Sequence, residues 1–459
     1  MMNPVSIAGA GLAGSEAALQ LAKRGFPVVL HEMRPMRETA VHKTGLCAEL
    51  VCSNSLKSTK LASAAGMLKA ELEELGSFLY EAALENAVPA GGALAVNRDS
   101  FARRITELVE NDPLIDLRRD EVTSVEELAQ DSSAVVLATG PLTSESLAAS
   151  LQILVGDYLA FYDAAAPIVM ADSLDMGVLF RQSRYEDAES ADGVSQGDYL
   201  NAPFSKEEYD GFIDELLAAE KVIARDFESK DLFQACQPIE EIARAGHDAP
   251  RFGPLKPVGL TDPRTGKRPW AALQLRAEDA DLTSYNLVGF QTNLKFGEQA
   301  RVFRMIPGLQ NAEFARYGVM HRNTFIDAPR LLDRNLRLKA AAAQGVQTPV
   351  FVAGQLGGTE GYCEAIRSGL HVALSISALL EEVDAPRLPR ETAFGALLAH
   401  ATDANTVGYQ PMHVNFGVMP PLDQPVRNKG KRYEAYSERG LAALGSYKGE
   451  LAACGLLEG

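Results

Sequence analysis

The chain contains few of the residues from which disulfide frameworks and metal sites are built. Its 459 residues include five cysteines, seven histidines and one tryptophan. The number of cysteines is odd, and neither the cysteines nor the histidines show the short spacing of zinc sites. We therefore expect reduced thiols in a cytoplasmic protein, and no metal.

Long apolar runs and an excess of positive charge are also missing. No uninterrupted apolar stretch approaches the length of a membrane span, and a strand pattern starts within the first ten residues. We therefore expect no membrane partner and no signal peptide. The net charge of −17 favours solubility and argues against a generally basic nucleic-acid-binding surface, but it is compatible with a local basic patch. The length predicts at least two domains.

The most informative stretch is residues 5–32, whose pattern predicts a strand, a glycine turn, a helix and a second strand. A short apolar run leads into the turn, and Glu32 follows the last glycine of the turn after 18 residues. In such a turn the first glycine permits a tight bend, the second admits a pyrophosphate and the third lets the helix pack on the strand. The helix N-terminus attracts phosphates, and Glu32 can accept the ribose hydroxyls. The turn consists of Gly9, Ala10, Gly11, Leu12, Ala13 and Gly14.

This pattern predicts dinucleotide binding. The alternative is a glycine-rich turn in another kind of α/β sheet. Two later segments favour the dinucleotide site, because each predicts a strand that ends in glycine beside the same sheet. The first is residues 134–141, with Thr139 and Gly140 at its end, and the second is residues 349–354, followed by a glycine-rich turn and a helix. The candidate cofactor residues of the second segment are Gly354, Gln355, Gly357, Gly358 and Thr359.

FAD is a better candidate than NAD for the tightly held cofactor, because an N-terminal and a C-terminal segment would jointly enclose it. Gly91 and Gly92 precede an apolar strand and would allow the backbone to approach a flat ligand. The alternative is a plain hairpin turn, which would be the better explanation without the glycine turn of residues 9–14.

Between residues 157 and 333 the helix–strand alternation weakens, which predicts an inserted domain. The fold class we expect is therefore α/β, with a Rossmann-type FAD-binding domain made of residues 1–165 and 334–459. A smaller α/β domain of residues 166–333 is inserted into it.

Two basic clusters are candidate phosphate contacts. Arg427, Lys429, Lys431 and Arg432 lie within six residues of one another. The other cluster contains Arg330, Arg334, Arg337 and Lys339, and helical spacing would align three of these side chains. The alternative for each cluster is a solvated surface. The residues that we expect to contact nucleic acid are Arg427, Lys429, Lys431, Arg432, Arg334 and Arg337.

Several longer strings resemble the folate- and FAD-dependent tRNA (uracil-5-)-methyltransferases, the TrmFO family, in the same order along the chain. The sister family GidA/MnmG, which modifies the tRNA wobble uridine, shares the last string, whereas LVCSNS and CQPIEE separate the two families. The strings are LVCSNS (50–55), VPAGGALAVNRD (88–99), ATGPLTS (138–144), GDYLNAP (197–203), CQPIEEIARAG (236–246), VGFQTNLKFGEQ (288–299), RYGVMHRNTFI (316–326) and GQLGGTEGY (354–362).

The resemblance implies transfer of a methylene group from 5,10-methylenetetrahydrofolate to C5 of the T-loop uridine of tRNA. It implies that reduced FAD carries this carbon and supplies a hydride, and that NADPH or NADH reduces the flavin. Cys236 matches the nucleophile of the family, which adds to uracil C6 and activates C5. Cys52 matches the partner thiol, the expected base for the C5 proton. The alternative for either thiol is a small buried side chain.

The chain departs from the family pattern at two places. Gln234 and Ala235 precede Cys236 where Glu-Gly is expected, and His413 stands where asparagine is expected. His413 either alters a hydrogen bond at the site or is an ordinary loop residue. Cys363, at a predicted helix start, is expected to be structural, and we assign no role to Cys47 or Cys454.

Three other functions explain part of the pattern. A GidA-like wobble-uridine enzyme normally has a longer C-terminal helical domain and a partner protein. A flavoprotein oxidoreductase acting on a small molecule leaves Cys52, Cys236 and the basic clusters without a role. A flavin- or folate-holding interaction protein is the third.

The sequence indicates neither the preference between NADH and NADPH nor the folate contacts, and either a monomer or a weak dimer is compatible with it.

Overall fold

The computed structural model of the chain describes residues 2–39, 41–156, 159–164, 166–184, 197–222, 237–278, 281–318, 320–339, 341–406, 409 and 411–457. For residues 159–164, 320–324 and 343 the description covers the backbone alone. Gln234, Ala235 and Cys236 lie outside the described residues.

The strands form four sheets within these ranges. In chain order they are β1 (Val5–Ala8), β2 (Val28–His31), β3 (Ser55–Ser58), β4 (Ala87–Val88), β5 (Ala93–Val96), β6 (Ile115–Arg118), β7 (Ala134–Leu137), β8 (Leu159–Ala164), β9 (Ile168–Met170), β10 (Phe180–Arg181), β11 (Tyr199–Phe204), β12 (Ala271–Ala277), β13 (Ser284–Leu287), β14 (Phe314–Arg316), β15 (Met320–Phe325) and β16 (Val350–Val352).

The helices range from one turn to seven. In chain order they are α1 (Leu12–Lys23), α2 (Ala64–Glu74), α3 (Phe78–Glu85), α4 (Arg98–Asn111), α5 (Val125–Ala129), α6 (Glu145–Val155), α7 (Lys206–Ala218), α8 (Ile239–Ala245), α9 (Ala249–Phe252), α10 (Phe296–Phe303), α11 (Ala328–Leu331), α12 (Tyr362–Leu380), α13 (Ala393–Ala401) and α14 (Lys429–Ala453).

A five-stranded parallel sheet in the order β16-β7-β1-β2-β6 forms the centre of the dinucleotide-binding part. Val5 of β1 lies opposite Val28 on one side and Ala134 on the other. Strands β1, β7 and β16 are buried along their whole length, as expected for a parallel sheet covered on both faces. The expectation that both later segments return to the first sheet is confirmed.

Two segments differ from what their residue patterns predict. The apolar spacing of residues 61–84 predicts a helix, but the chain forms α2 and α3, because Gly76 adopts a φ of +68° and Ser77 caps the second helix. The buried carboxylate of Glu16 accepts hydrogen bonds from the Ser77 hydroxyl and the Leu79 amide, and so stabilises this break. The pattern of residues 121–125 predicts a short strand, but these residues form no strand, and Ser124 caps α5.

The chain builds two large hydrophobic cores. One contains residues from the segments 5–154 and 325–456, and the other contains residues 169–312 around an antiparallel six-stranded sheet in the order β10-β11-β12-β13-β9-β14. Strands β8 and β15 pair with each other between these segments. The mixed α/β fold with a Rossmann-type sheet is confirmed, whereas the boundaries at residues 165/166 and 333/334 stay a prediction.

Helix α12 packs directly against α1 in the first core. By length and composition α12 could cross a membrane, with a mean hydropathy of 1.2, but 83% of that stretch is buried inside the protein, which is the pattern of a core helix. The two helices approach closely at Gly369, where a side chain would overlap the carbonyl oxygen of Ala13.

We predict that Gly369→Ala destabilises the protein by about 1–3 kcal/mol, because the added methyl group forces α12 away from α1. The thermal unfolding midpoint measures this effect. The matched control is Gly449→Ala on the exposed face of α14, where a side chain meets no atom within 4 Å. This control should be neutral or gain roughly 0.5–1 kcal/mol from helix propensity. Equal midpoints for the two variants would contradict the tight contact.

Candidate active site

A cavity of about 370 Å³ lies at the carboxyl ends of the parallel strands, where this class of sheet binds its ligands. Helices α1 and α12 both begin at its wall. The lining residues come from several segments, among them the glycine turn, the ends of β2, β7 and β16, the loop before β3, the start of α12 and the loop around residue 413. They include Gly9, Gly11, Leu12, Ala13, Glu32, Thr139, Gly140, Gly354, Gln355, Cys52, Ser53, Tyr362 and His413.

The glycine turn leaves room for a ligand at one glycine and has no room for a side chain at the other two. A side chain at Gly9, which has a φ of +99°, would lie 2.7 Å from the Ala138 carbonyl oxygen. A side chain at Gly14 would overlap the carbonyl oxygen of Gly9, whereas one at Gly11 would meet no atom within 4 Å. Gly11 gives α1 no side-chain cap, so the first-turn N–H groups are directed toward this space. The turn therefore fits a pyrophosphate.

Glu32 lies at the cavity wall and is held in its ionised form. Its carboxylate accepts hydrogen bonds from the Ala10 amide at 3.1 Å and from Arg34 through Nε at 2.8 Å and the amide at 3.0 Å. Burial by itself would raise the pKa of Glu32, but the Arg34 guanidinium and the two amides lower it below its usual value. Arg34 also contacts Glu49 at 3.1 Å, which fixes the guanidinium in place. This interaction was not visible as a sequence motif.

The remaining candidate cofactor residues lie behind the wall or away from it. Ala10, Gly14, Gly357, Gly358 and Thr359 are not among the lining residues and support the backbone from behind. For example, the Thr359 hydroxyl donates to the Gly354 carbonyl at 2.9 Å.

Gly91 and Gly92 lie on an exposed turn between β4 and β5, outside the cavity lining. The Gly91 amide donates to the Asp198 side chain, just before β11. The turn therefore lies outside the cavity wall, and its approach to a flat ligand stays a prediction. The positive φ of Gly91, +58°, is that of a residue in a hairpin turn.

Cys52 lies at the cavity wall on a loop that Tyr362 anchors. The hydroxyl oxygen of Tyr362 accepts hydrogen bonds from the amides of both Cys52 and Ser53, each at 3.0 Å. Burial raises the pKa of the Tyr362 phenol above its ordinary value, so it remains protonated and has one hydrogen to donate. One side chain at the start of α12 therefore fixes two successive peptide groups beside the thiol.

Arginines from the inserted sheet hold the same loop from the opposite side. Arg316 on β14 donates to the Val51 carbonyl at 2.8 Å. Arg276 on β12 donates to Asn54 Oδ1 at 2.8 Å and to Ser53 Oγ at 2.6 Å. Burial lowers the pKa of both arginines from the ordinary guanidinium value.

Arg98, at the start of α4, is the third arginine at this loop. It donates to the Leu50 carbonyl at 3.0 Å and forms an ion pair with Glu278 at 2.6 Å. Arg98 and Arg316 belong to strings that carried the family resemblance, but the sequence assigned them no role. Their function as clamps follows only from contacts between distant segments.

His413 lies at the cavity wall beside Lys57 and Glu364. Burial, reinforced by the positive charge of Lys57, lowers the pKa of His413 below its usual value, and Glu364 opposes this shift. Lys57 Nζ lies 3.8 Å from a carboxylate oxygen of Glu364, which also accepts the Val414 amide at 3.1 Å. The side chain that departs from the family pattern thus faces the cavity as a neutral imidazole at neutral pH.

Both basic clusters lie outside the lining of this cavity. Lys429, Lys431 and Arg432 form the first turn of α14, with Arg427 exposed just before it. The predicted helical alignment of the other cluster is wrong, because α11 ends at Leu331 and Leu336 adopts a φ of +60°. Arg337 instead bridges to Phe351 at the edge of β16, and Arg334 is exposed on the intervening turn.

Comparison with known proteins gives a consistent set of relatives. The family model described as glucose inhibited division protein A, GIDA, matches residues 4–384. The chain is 52% identical to a Geobacter sulfurreducens protein over 445 residues, covering 97% of this chain and 98% of that one. It is 48% identical to a Listeria monocytogenes protein over 445 residues, with the same coverage. Both are named methylenetetrahydrofolate–tRNA-(uracil-5-)-methyltransferase TrmFO.

Among solved structures, two crystal forms of Aquifex aeolicus GidA are similar in fold. Form I has a TM-score of 0.68 and 15% identity, covering 97% of this chain and 76% of that one. Form II has a TM-score of 0.67 and 15% identity, covering 100% and 74%. At this identity the likeness establishes the fold alone.

We predict that Gly11→Asp yields a folded protein whose affinity for FAD is at least about tenfold lower, a loss of roughly 1.4 kcal/mol. The helix tolerates aspartate at this position, because aspartate is a good N-cap residue. The new carboxylate, however, occupies the space for the pyrophosphate and repels it. Flavin absorbance per mole of purified protein measures the effect. Gly449→Asp adds the same charge on the exposed face of α14 and should retain flavin, and full flavin content in Gly11→Asp would contradict the assignment.

Proposed function

The chain belongs to the GIDA family and, within it, to the TrmFO methyltransferases, and from this premise we propose that it methylates the T-loop uridine of tRNA at C5. The carbon comes from 5,10-methylenetetrahydrofolate and the reducing equivalents from NADPH or NADH. The observation that carries the proposal is the position of Cys52, which lies on the LVCSNS loop at the wall of the dinucleotide cavity. Near-50% identity to TrmFO relatives over almost the whole chain favours this activity over wobble-uridine modification.

FAD fits the residues that line the cavity. The open space at Gly11 and the N-terminus of α1 would hold the pyrophosphate, and the Glu32 carboxylate would accept a ribose hydroxyl. Thr139, Gly140, Gly354 and Gln355 complete the wall. When bound, FAD supplies one-carbon transfer and hydride chemistry that amino-acid side chains cannot perform.

The two thiols activate and release the uracil. The thiolate of Cys236 forms a bond to C6, and the resulting enolate makes C5 nucleophilic. After C5 has gained the carbon, the thiolate of Cys52 accepts the C5 proton, and the electron pair of that C–H bond expels the Cys236 sulfur from C6. The hydrogen bonds from Tyr362, Arg98 and Arg316 to the loop support a fixed position for the base.

The chain just beyond Cys236 contacts the same cavity. Ile239, three residues further on, donates its amide to the Gln291 carbonyl at 2.8 Å, and Gln291 lines the cavity. The Glu240 carboxylate is buried and accepts the Asn293 amide at 2.6 Å, which ties α8 to this segment. These contacts support a nucleophile that reaches the uracil from the inserted domain.

The charge at the start of α14 supports a phosphate-binding role for the first basic cluster. Three basic side chains occupy the first turn, which contains no acidic residue. Positive charges at this end of a helix oppose its dipole, so a bound phosphate would relieve a repulsion that the fold otherwise tolerates. An acidic protein could therefore bind tRNA locally, largely by its shape, and receive a uridine flipped out of the T-loop.

The proposal is tested by incubating the purified flavoprotein with unmodified tRNA, 5,10-methylenetetrahydrofolate labelled in the methylene carbon, and NADPH. We expect one label per tRNA, located as 5-methyluridine in the T-loop. Label at the wobble position, or no label in tRNA, would refute the proposal.

We predict that Cys236→Ala and Cys52→Ala each reduce methylene transfer by at least about a hundredfold while retaining flavin, because each removes a group that forms or breaks a bond to uracil. Transfer of label to tRNA and flavin absorbance are measured together. Cys454→Ala, near the C-terminus and outside the cavity lining, is the matched control and should retain normal activity. Normal transfer by the Cys236 variant would remove the nucleophile assignment.

We predict that Tyr362→Phe lowers the single-turnover rate of transfer about tenfold, because two buried amides beside Cys52 lose their acceptor. Flavin content and tRNA affinity should remain close to normal, because the hydrogen bonds of the phenol within the described structure are those with the Cys52 loop. This split between rate and affinity distinguishes a positioning role from general damage. An unchanged rate would show that the loop keeps its position without the phenol.

A further inference from the structure

A second cavity, of about 310 Å³, lies away from the dinucleotide site. It is enclosed by the turn after α11, the middle of α12, the segment before α13 and the end of α13. Its lining residues include Arg334, Asn335, His371, Pro386, Arg387, Leu388, Arg390, Leu398, Ala399, Thr402 and Asp403.

Three arginines give this cavity a concentrated positive charge. Arg334, Arg387 and Arg390 are exposed, and none of their guanidinium groups forms an ion pair or hydrogen bond with any residue that the structure describes. Other arginines of the chain do find carboxylates, as Arg104 does with Glu85 at 2.9 Å.

The one acidic residue among the described lining residues offsets only part of the charge of the three arginines. Asp403 directs Oδ1 to Asn405, accepting its amide at 3.0 Å and its side-chain Nδ2 at 2.9 Å. These hydrogen bonds lower the pKa of Asp403, and the positive charge of Arg390 lowers it further, although no guanidinium nitrogen lies within ion-pair distance of the carboxylate in the described structure. Three positive charges therefore surround this concave surface together with one negative charge.

A hydrogen bond and a helix cap hold the wall of the second cavity in place. His371 Nε2 donates to the Arg334 carbonyl at 3.0 Å, which fixes the turn that carries this arginine to the centre of α12. Burial lowers the pKa of His371 to about 4, so the imidazole is neutral at neutral pH and the positive charge of the cavity comes from the arginines. Leu388 is buried beside it, and Thr392 caps α13.

We propose that this cavity binds a backbone phosphate of the tRNA, an inference that rests on the proposed function. Guanidinium groups bind phosphate oxygens through paired hydrogen bonds. His371 follows Tyr362 by nine residues in α12, which places the two residues about 14 Å apart along the helix axis. Nine residues are about two and a half turns, so Tyr362 and His371 lie on opposite faces of α12. A tRNA with one base in the first cavity would therefore reach the second cavity around the surface of the protein, along a path longer than about 14 Å.

The test is the double variant Arg387→Gln/Arg390→Gln in the full flavoprotein, with unmodified tRNA as the probe. We expect tRNA binding to weaken about tenfold at low salt. The slope of log affinity against log salt concentration should become less negative by roughly one to two, because one or two phosphate contacts are lost. The transfer rate at saturating tRNA and flavin reduction by NADPH should stay within about twofold of wild type, because the catalytic cavity is intact.

Arg103→Gln/Arg268→Gln is the matched control, because it removes two exposed positive charges that lie outside both cavities and, like the test pair, form no ion pair in the described structure. Ala399→Glu is a second test variant, which adds a carboxylate to the helical wall of the cavity and should weaken tRNA binding equally. Normal tRNA affinity in both test variants, or a loss no larger than in the control, would overturn the inference. So would slower flavin reduction by NADPH with intact tRNA binding, because the phosphate would then belong to the dinucleotide. Failure of the wild-type enzyme to label tRNA is the separate result that would refute the proposed function.

Discussion

The structure depends on one constraint above all, the anchoring of the loop that carries Cys52. Buried peptide groups must find partners, and here side chains from distant segments supply them. Tyr362 and Arg98 reach the loop from the dinucleotide-binding part, while Arg276 and Arg316 reach it from the inserted sheet. The two large cores therefore meet at the backbone of the loop that carries Cys52. This anchoring fits the base that we propose, because a group held in this way can act on a substrate bound by either part.

The dinucleotide site also depends on close packing and on a buried ion pair. The turn has no room for a side chain at Gly9 and Gly14 and leaves Gly11 open, so that a ligand phosphate can contact the backbone. The buried carboxylate of Glu32 stays ionised because Arg34 lies next to it, and not because it is exposed to solvent. The Cys52 loop and the wall of the dinucleotide cavity are thus both held by arginines whose partners are carbonyl and carboxylate groups. The exposed arginines around the second cavity have no such partners, which explains why they are available to an external phosphate.

The local parts of the fold were predictable from the sequence, because short-range patterns encode them. The strand–turn–helix of residues 5–32 and the strands β7 and β16 follow from apolar runs that end in glycine. Predictions failed where a single residue redirected the chain. Gly76 divides a predicted helix into α2 and α3, and the positive φ of Leu336 turns the segment in which Arg330, Arg334 and Arg337 would have aligned. The apolar periodicity of the sequence continues through such positions, whereas a positive φ ends the helical backbone there.

By itself, the sequence determined the dinucleotide turn, the class of fold and the strings that identify the family, because each depends on residues close together in the chain. It also singled out Cys52, since LVCSNS is a local string. Only the tertiary structure decided which side chains clamp that cysteine, that His413 faces the cavity, that Gly91 does not, and that Arg334, Arg387 and Arg390 surround one concave surface. These are contacts between segments far apart in the chain. They arise from the packing of α12, α13 and the inserted sheet, and no local pattern of residues specifies that packing.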